Sequence, residues 1–208
     1  MKKILLLSAL LISNTANAGL NLDYRAYNTP VNYNFAEVQV GYHVYKPDGQ
    51  KDVDTTNISI GSELMLNEHV ILKYSFSGEE INDATLLGAN VGLLYRLPVA
   101  EKLDLVLGGE VKLDWLGVDD IDGSSHYSHE NTDIGAHLGV RYGFTDKLEG
   151  VTQVVISDTS STSSMTTEVT SKLSYYVSKN VGVGAFYLAS FNDYMDESNV
   201  GLHVRFRF

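Results

Sequence analysis

The sequence predicts an all-β fold, an up-and-down antiparallel transmembrane β-barrel of ten strands, and three observations carry that prediction. From Phe35 onward apolar residues alternate with polar or small ones in ten runs, the period of a strand and not of a helix. The links between runs are alternately short and long, as in barrels with tight turns at one mouth and longer loops at the other. The polar face of the runs carries repeated glycine and charges of both signs, which suit a narrow enclosed lumen better than a face open to water.

The chain opens with MKKILLLSALLISNTANA: Lys2 and Lys3, an apolar run from Ile4 to Ile12, then a polar stretch closing on Ala16-Asn17-Ala18. This is the layout of a secretory signal peptide with a small-residue cleavage site. The apolar run is too short to cross a bilayer as a helix, which takes about 20 residues. Residues 1–18 are therefore expected to be removed on export. Residues 19–35, polar and aromatic with Pro30 and no clear period, form a lead-in that either stays outside or tucks into the barrel mouth. The barrel domain is assigned to 36–208.

The runs follow in order. Residues 36–46 set Val38, Val40, Tyr42 and Val44 against Glu37, Gln39, Gly41 and His43, and 56–66 set Ile58, Ile60 and Leu64 against Asn57, Ser59, Gly61 and Glu63. In 69–78, Val70, Leu72, Tyr74 and Phe76 oppose Lys73, Ser75 and Ser77, with Ile71 breaking the pattern from the polar side. Residues 85–96 and 103–115 alternate cleanly, the latter with Leu103, Leu105, Leu107, Val111, Leu113 and Trp115 on one face. The run 132–144 does the same with Ile134, Leu138, Val140 and Tyr142 opposite Asp133, His137 and Arg141. In 149–157 three apolar residues run together, and Gln153 is assigned inward with Val154 outward. Runs 167–177, 181–191 and 198–208 complete the set.

A soluble sandwich alternates too, but its polar face meets water and favours Lys, Glu and Thr over repeated glycine. Here Glu63, Lys73, Arg96, Glu110, Lys112, Asp114, Arg141, Lys172, Arg205 and Arg207 share the polar face with the glycines. Aromatics such as Tyr42, Tyr95, Trp115, Tyr142 and Tyr175 sit near strand ends on the apolar face, where a membrane barrel carries its interfacial girdles. After residue 18 no apolar run approaches the length of a transmembrane helix. A net charge of −11 argues against nucleic acid as a partner. Cysteine is absent, so disulfides, thiol chemistry and a cysteine-based zinc site are excluded.

The final run NVGLHVRFRF ends in Phe208, with Val204 and Phe206 spaced by two before it; it looks like the C-terminal strand by which outer-membrane proteins are recognised for insertion. The stretch DIGAHLGVRYGFTDKLEG, 133–150, resembles the repeating hairpins of the small OmpA-like and opacity-type, porin-like barrel family. That resemblance implies residence in the cell outer membrane of a Gram-negative bacterium, with outer-membrane lipid and lipopolysaccharide as surroundings. It implies that Phe206 and Phe208 serve as an assembly signal for the barrel-assembly machinery. It also implies eight strands, the alternative to the ten counted.

Two groups of residues are candidate sites. The 116–131 stretch holds Asp119, Asp120, Asp122, His126 and His129, carboxylates and imidazoles able to ligate a divalent cation. Asp120-Ile121-Asp122-Gly123 looks like the start of a calcium loop, but Val118 stands at the first ligand position and His129 where a closing glutamate belongs. The other reading is a solvated acidic external loop. Within the lumen, Arg96, Glu110, Lys112, Asp114 and Arg141 are expected to pair as one connected network that blocks free passage, because an unpaired buried ion is far costlier than a paired one. No cofactor is expected.

The favoured function is a non-enzymatic barrel with a structural or surface-interaction role through acidic external loops. A narrow porin-like channel for small solutes is the alternative. A barrel enzyme comes last: the acids and histidines of 116–131 invite comparison with omptin-type proteases, but a second acidic pair is lacking. A lipid-modifying enzyme would use a lipid-facing nucleophile, and only Ser62 and Ser171 are placed there, with no outward histidine beside them.

Overall fold

The computed structural model describes residues 31–81, 84–119, 126–159 and 164–208. They form ten strands: β1 (Phe35–Pro47), β2 (Val53–Met65), β3 (Val70–Ile81), β4 (Ala84–Ala100), β5 (Leu103–Asp119), β6 (His126–Thr145), β7 (Leu148–Thr159), β8 (Ser164–Tyr176), β9 (Val181–Phe191) and β10 (Met195–Arg207). Each pairs antiparallel with its neighbours in sequence, and β1 pairs with β10 to close the barrel. Along that seam Phe35 faces Arg207, Val38 faces Val204 and Pro47 faces Met195. Ten strands, not eight, is the count.

The strands run further than the side-chain alternation suggests. β5 continues to Asp119 and β6 starts at His126, so most of 116–131 is an extension of the hairpin and not a loop. β2 likewise starts at Val53 and β10 at Met195, inside stretches expected to be loops. The period-two signal fades where the outer face stops meeting an apolar environment, but the backbone ladder needs only a neighbouring strand and so persists.

Turn chemistry explains three short links at the mouth where β1 begins and β10 ends. The Asn67 side-chain oxygen accepts from the His69 and Val70 amides, each at 2.9 Å. Thr145 Oγ1 accepts from Lys147 and Leu148 at 3.2 and 3.0 Å, and Ser178 Oγ from Asn180 and Val181 at 3.3 and 3.1 Å. In each case a short polar side chain satisfies the amides that the tight reversal leaves unpaired.

The outer face exposes apolar side chains around the whole sheet, from Val40 on β1 to Leu93 on β4, Ile134 on β6, Leu173 on β8 and Leu202 on β10. Soluble monomers seldom show a contiguous apolar patch above a few hundred Å². A band that encircles the molecule, with Tyr42, Tyr95, Trp115 and Tyr175 also exposed on it, is a lipid-facing surface. No helix of the described residues is long and apolar enough to cross a membrane, and strands do the crossing here.

The packed core therefore lies inside. Val31, Tyr33, Met65, Ile71, Leu94 and Val106 form one buried cluster within the lumen, close to the terminal mouth. This accounts for Ile71, which breaks its strand's pattern because its inward neighbours are apolar. Residues 31–34 enter the barrel, so this part of the lead-in tucks into the mouth. On β7, Val151 and Val155 are buried and line the interior with Gln153, while Thr152 and Ile156 are exposed.

Candidate functional site

The inward charges of ten strands meet in levels along the barrel axis. At the terminal mouth, Glu37 of β1 accepts from Arg205 Nε and Nη2 of β10 at 2.8 and 2.6 Å and from Lys172 Nζ of β8 at 2.6 Å. Arg205 Nη1 also donates to Glu149 of β7. That carboxylate accepts further from Tyr176 OH at 2.7 Å and Arg207 Nη2 at 3.0 Å. The Arg205 guanidinium stands 3.9 Å from the centre of the Phe35 ring, close enough for cation–π attraction.

The opposite wall carries two forked pairs. Arg141 of β6 donates through Nη1 and Nη2 to Glu63 of β2 at 2.5 and 2.9 Å. These strands are not neighbours in the sheet, so the pair bridges the lumen. Arg96 of β4 donates to Asp104 of β5 at 2.6 and 3.0 Å, and Tyr33 OH donates to the same carboxylate at 2.7 Å. The Arg141 guanidinium lies 4.7 Å from the Tyr33 ring centre. Bidentate guanidinium–carboxylate pairs fix geometry as well as charge. Together with the apolar cluster around Val31 and Tyr33 they form a floor.

Above the floor, Glu110 takes a hydrogen bond from Lys73 at 3.0 Å and from Asn90 at 2.9 Å, with His137 Nδ1 at 3.3 Å. Nearer the loop mouth, Lys112 lies 3.2 Å from Asp114, and His43 lies 3.1 Å from Glu79 and 3.5 Å from Glu197. Tyr45 OH donates to Glu79. Two cavities occupy this upper part. An inner one of about 360 Å³ reaches down to Arg141 and Arg205, and an outer one of about 460 Å³ is lined by Asp133, Ser164, Glu168 and Tyr194. Both touch Lys112, Asp114, Glu168 and Glu197. The lumen is thus a polar vestibule that ends on a floor of paired charges and apolar side chains at the terminal mouth.

The five residues expected to form one lumen network are spread along the barrel axis. Arg96, Glu110, Lys112, Asp114 and Arg141 line the interior, but they divide among three levels: Arg96 pairs with Asp104, Arg141 with Glu63, Glu110 with Lys73, and Lys112 with Asp114. Alternation reports which way a residue points, whereas the tilt of strands in a closed barrel decides its level. Glu149 and Tyr33 were not singled out from sequence. Glu149 follows a tight turn, where a charge reads as solvated, and Tyr33 lies in a stretch with no period.

The candidate metal ligands belong to the end of β5, the start of β6 and the residues between them. Asp120 and Asp122 lie outside the described residues; Asp119 stands opposite His126 and Leu116 opposite His129 in the β5–β6 ladder. Among the described residues no group of three or more acidic or histidine side chains is placed to hold a metal ion. Phe206 is exposed on the outer face of β10, and Phe208, also exposed, follows that strand's end. The lipid-side serines are engaged elsewhere: Ser62 Oγ donates to the Phe35 carbonyl at 2.7 Å, and Ser171 Oγ lies 3.1 Å from Thr152 Oγ1.

One serine–histidine pair does occur, inside the lumen, where Ser174 Oγ is 2.9 Å from His203 Nε2. Its geometry does not suit nucleophilic catalysis. The nearest carboxylate, Glu37, approaches the same ring nitrogen at 3.9 Å instead of orienting the ring from Nδ1. Both side chains are almost fully buried, with Ser174 at 1% and His203 at 2% exposure, so a substrate has no route to them.

No family profile matches the chain, and no curated protein matches it. Solved structures share its architecture. An outer membrane channel from Pseudomonas putida F1 is similar at 10% identity and a TM-score of 0.50, over 86% of this chain and 97% of that one. Neisserial surface protein A is similar at 15% identity and a TM-score of 0.47, over 85% and 98%. Ail, the attachment invasion locus protein of Yersinia pestis, is similar at 14% identity and a TM-score of 0.38, over 85% and 100%. At these identities a likeness bears on the fold alone, and of the three the outer membrane channel, at a TM-score of 0.50, supports it.

Proposed function

We propose that this protein is a non-enzymatic barrel of the Gram-negative outer membrane, closed to diffusion at its periplasmic mouth and acting at its outer face. The mouth where β1 begins and β10 ends, with the tight turns, is the periplasmic one, by the asymmetry general to such barrels. The observation that carries the reading is the floor: Arg141 and Glu63 join non-adjacent strands across the lumen while Tyr33 fills the space beside them. A solute reaching that level would have to separate buried pairs, each costing several kcal/mol to break. What remains accessible is the vestibule and the loop mouth, which supports a surface-interaction role over transport.

The test is conductance. Purified mature protein in planar bilayers is expected to show no steady current at moderate voltage. A variant combining Arg141→Ala with Tyr33→Ala should open discrete conductance steps. Steady wild-type conductance would overturn the closed-floor reading and put the porin-like channel first.

A further inference from the structure

One row of inward residues crosses the closing seam through two consecutive glycines. Phe186 of β9 stands directly opposite Gly201 of β10, and Gly201 directly opposite Gly41 of β1. Phe186 is 5% exposed and lines the inner cavity, so its ring lies within the lumen. A methyl group added at Gly201 would stand 2.7 Å from Phe186 Cε1, and one added at Gly41 would stand 2.9 Å from Phe186 Cζ. The ring therefore leaves β9, passes over β10 and sets its tip on β1, the strand across the seam.

A second side chain comes to the same place. Asn199, buried on β10, sets its Oδ1 against the position a Gly41 side chain would take. Two side chains of the C-terminal hairpin thus converge on one residue of the first strand. The backbones also approach closely there: a methyl at Gly201 would stand 2.6 Å from Gly41 Cα and would run into the Val40 carbonyl oxygen. Glycine within a strand weakens it, through chain entropy and lost packing, and often marks such a close approach. Two glycines facing each other at the seam need a compensating contact, and an aromatic ring laid over them supplies it.

We propose that Phe186 is the clasp of the barrel: by crossing Gly201 to reach Gly41 it ties the first strand to the C-terminal hairpin and sets how often the β1–β10 seam opens. Adjacent strands elsewhere are consecutive in the chain, whereas β1 and β10 are held together by their ladder and side chains alone. An open seam would present unpaired backbone groups to lipid, where nothing can satisfy them. The clasp spans two ladders, β9 to β10 and β10 to β1, so the seam cannot part without lifting the ring from Gly41.

The experiment is hydrogen–deuterium exchange of the folded mature barrel in detergent micelles, read by mass spectrometry on segments of β1 and β10 with β5 as reference. In Phe186→Ala, exchange in β1 and β10 is expected to quicken at least tenfold while β5 stays within twofold of wild type. Leu188→Ala removes an apolar side chain at the next inward position of β9, opposite Asn199 and not glycine, and should leave all three segments within twofold. Gly41→Ala displaces the tip of the ring and should resemble Phe186→Ala. Combining the two should stay within twofold of the faster single variant, because the ring is already gone. Gel mobility with and without boiling checks that each variant is folded; if Phe186→Ala is not, Phe186→Leu, too short to reach Gly41, is expected to quicken the seam at least threefold. Unchanged exchange in β1 and β10, equal quickening in β5, a Leu188→Ala effect as large as that of Phe186→Ala, or effects that multiply fully in the double variant would overturn the proposal.

Discussion

At the scale of single residues, Asp104 is the acid that holds the Arg96 guanidinium in the lumen. Its carboxylate is fully buried and receives two guanidinium donors and a phenol. Asp104→Asn keeps the shape and removes the charge that faces the Arg96 guanidinium; breaking a buried pair of this kind costs about 3–5 kcal/mol. A large fall in the denaturant midpoint for refolded protein is the expected outcome. Asp114→Asn should cost less, about 1 kcal/mol or below, because its partner Lys112 has a side chain 47% exposed and water screens the pair. Glu110→Ala separates the two models of the lumen: it removes a partner of Lys73 and His137 and should lower stability, yet leave bilayer conductance at baseline because the floor beneath is untouched. A current appearing in that variant would return the seal to the middle level. The inward orientation of all these groups could be read from sequence by counting in twos. Their pairing could not, since Glu63 and Arg141 lie 78 residues apart on strands that do not touch.

Among the elements, the segment before β1 is the one whose place the sequence left open, although the signal was partly present. Ile71 stands inward where its neighbours Lys73 and Ser75 are polar, and Met65, Leu94 and Val106 repeat that anomaly on adjoining strands. An apolar ring inside a polar lumen needs an apolar occupant, and Val31 with Tyr33 supplies it. Replacing both by alanine should destabilise the barrel by about 3–5 kcal/mol, the usual cost of truncating a buried aromatic with its neighbour, read as a lower melting temperature of the folded band on gels. β10 is a different case. Phe208 is 53% exposed and its backbone amide donates to the Asn34 carbonyl at 3.2 Å, so its removal breaks no lumen pair. Deleting it should slow assembly in cells while leaving the assembled fraction as heat-resistant as wild type. If assembly proceeds at the wild-type rate, the terminal aromatic is not the assembly signal.

For the molecule as a whole, closure is the property on which the vestibule, the floor and the lipid face all depend, and it is decided at one seam. β1 and β10 are the ends of the barrel-forming chain, and their pairing must form in a single register, since a one-residue slip would turn every side chain of a strand to the wrong face. In that register Val38 is directly opposite Val204, both on the outer face. Directly opposed strand residues have Cα atoms about 4.5–5.5 Å apart, within the span of a disulfide. The chain has no cysteine of its own, so Val38→Cys with Val204→Cys introduces one unambiguous pair. Mild oxidation of the folded protein is expected to link them, giving a looped species on a non-reducing gel after boiling. The offset pair Val38→Cys with Phe206→Cys should stay reduced, because Phe206 is opposite Ala36 and a two-residue displacement adds nearly 7 Å along the strand. Efficient linkage of the offset pair, or none in the aligned one, would show that the ten-strand closure and the lumen built on it are wrong.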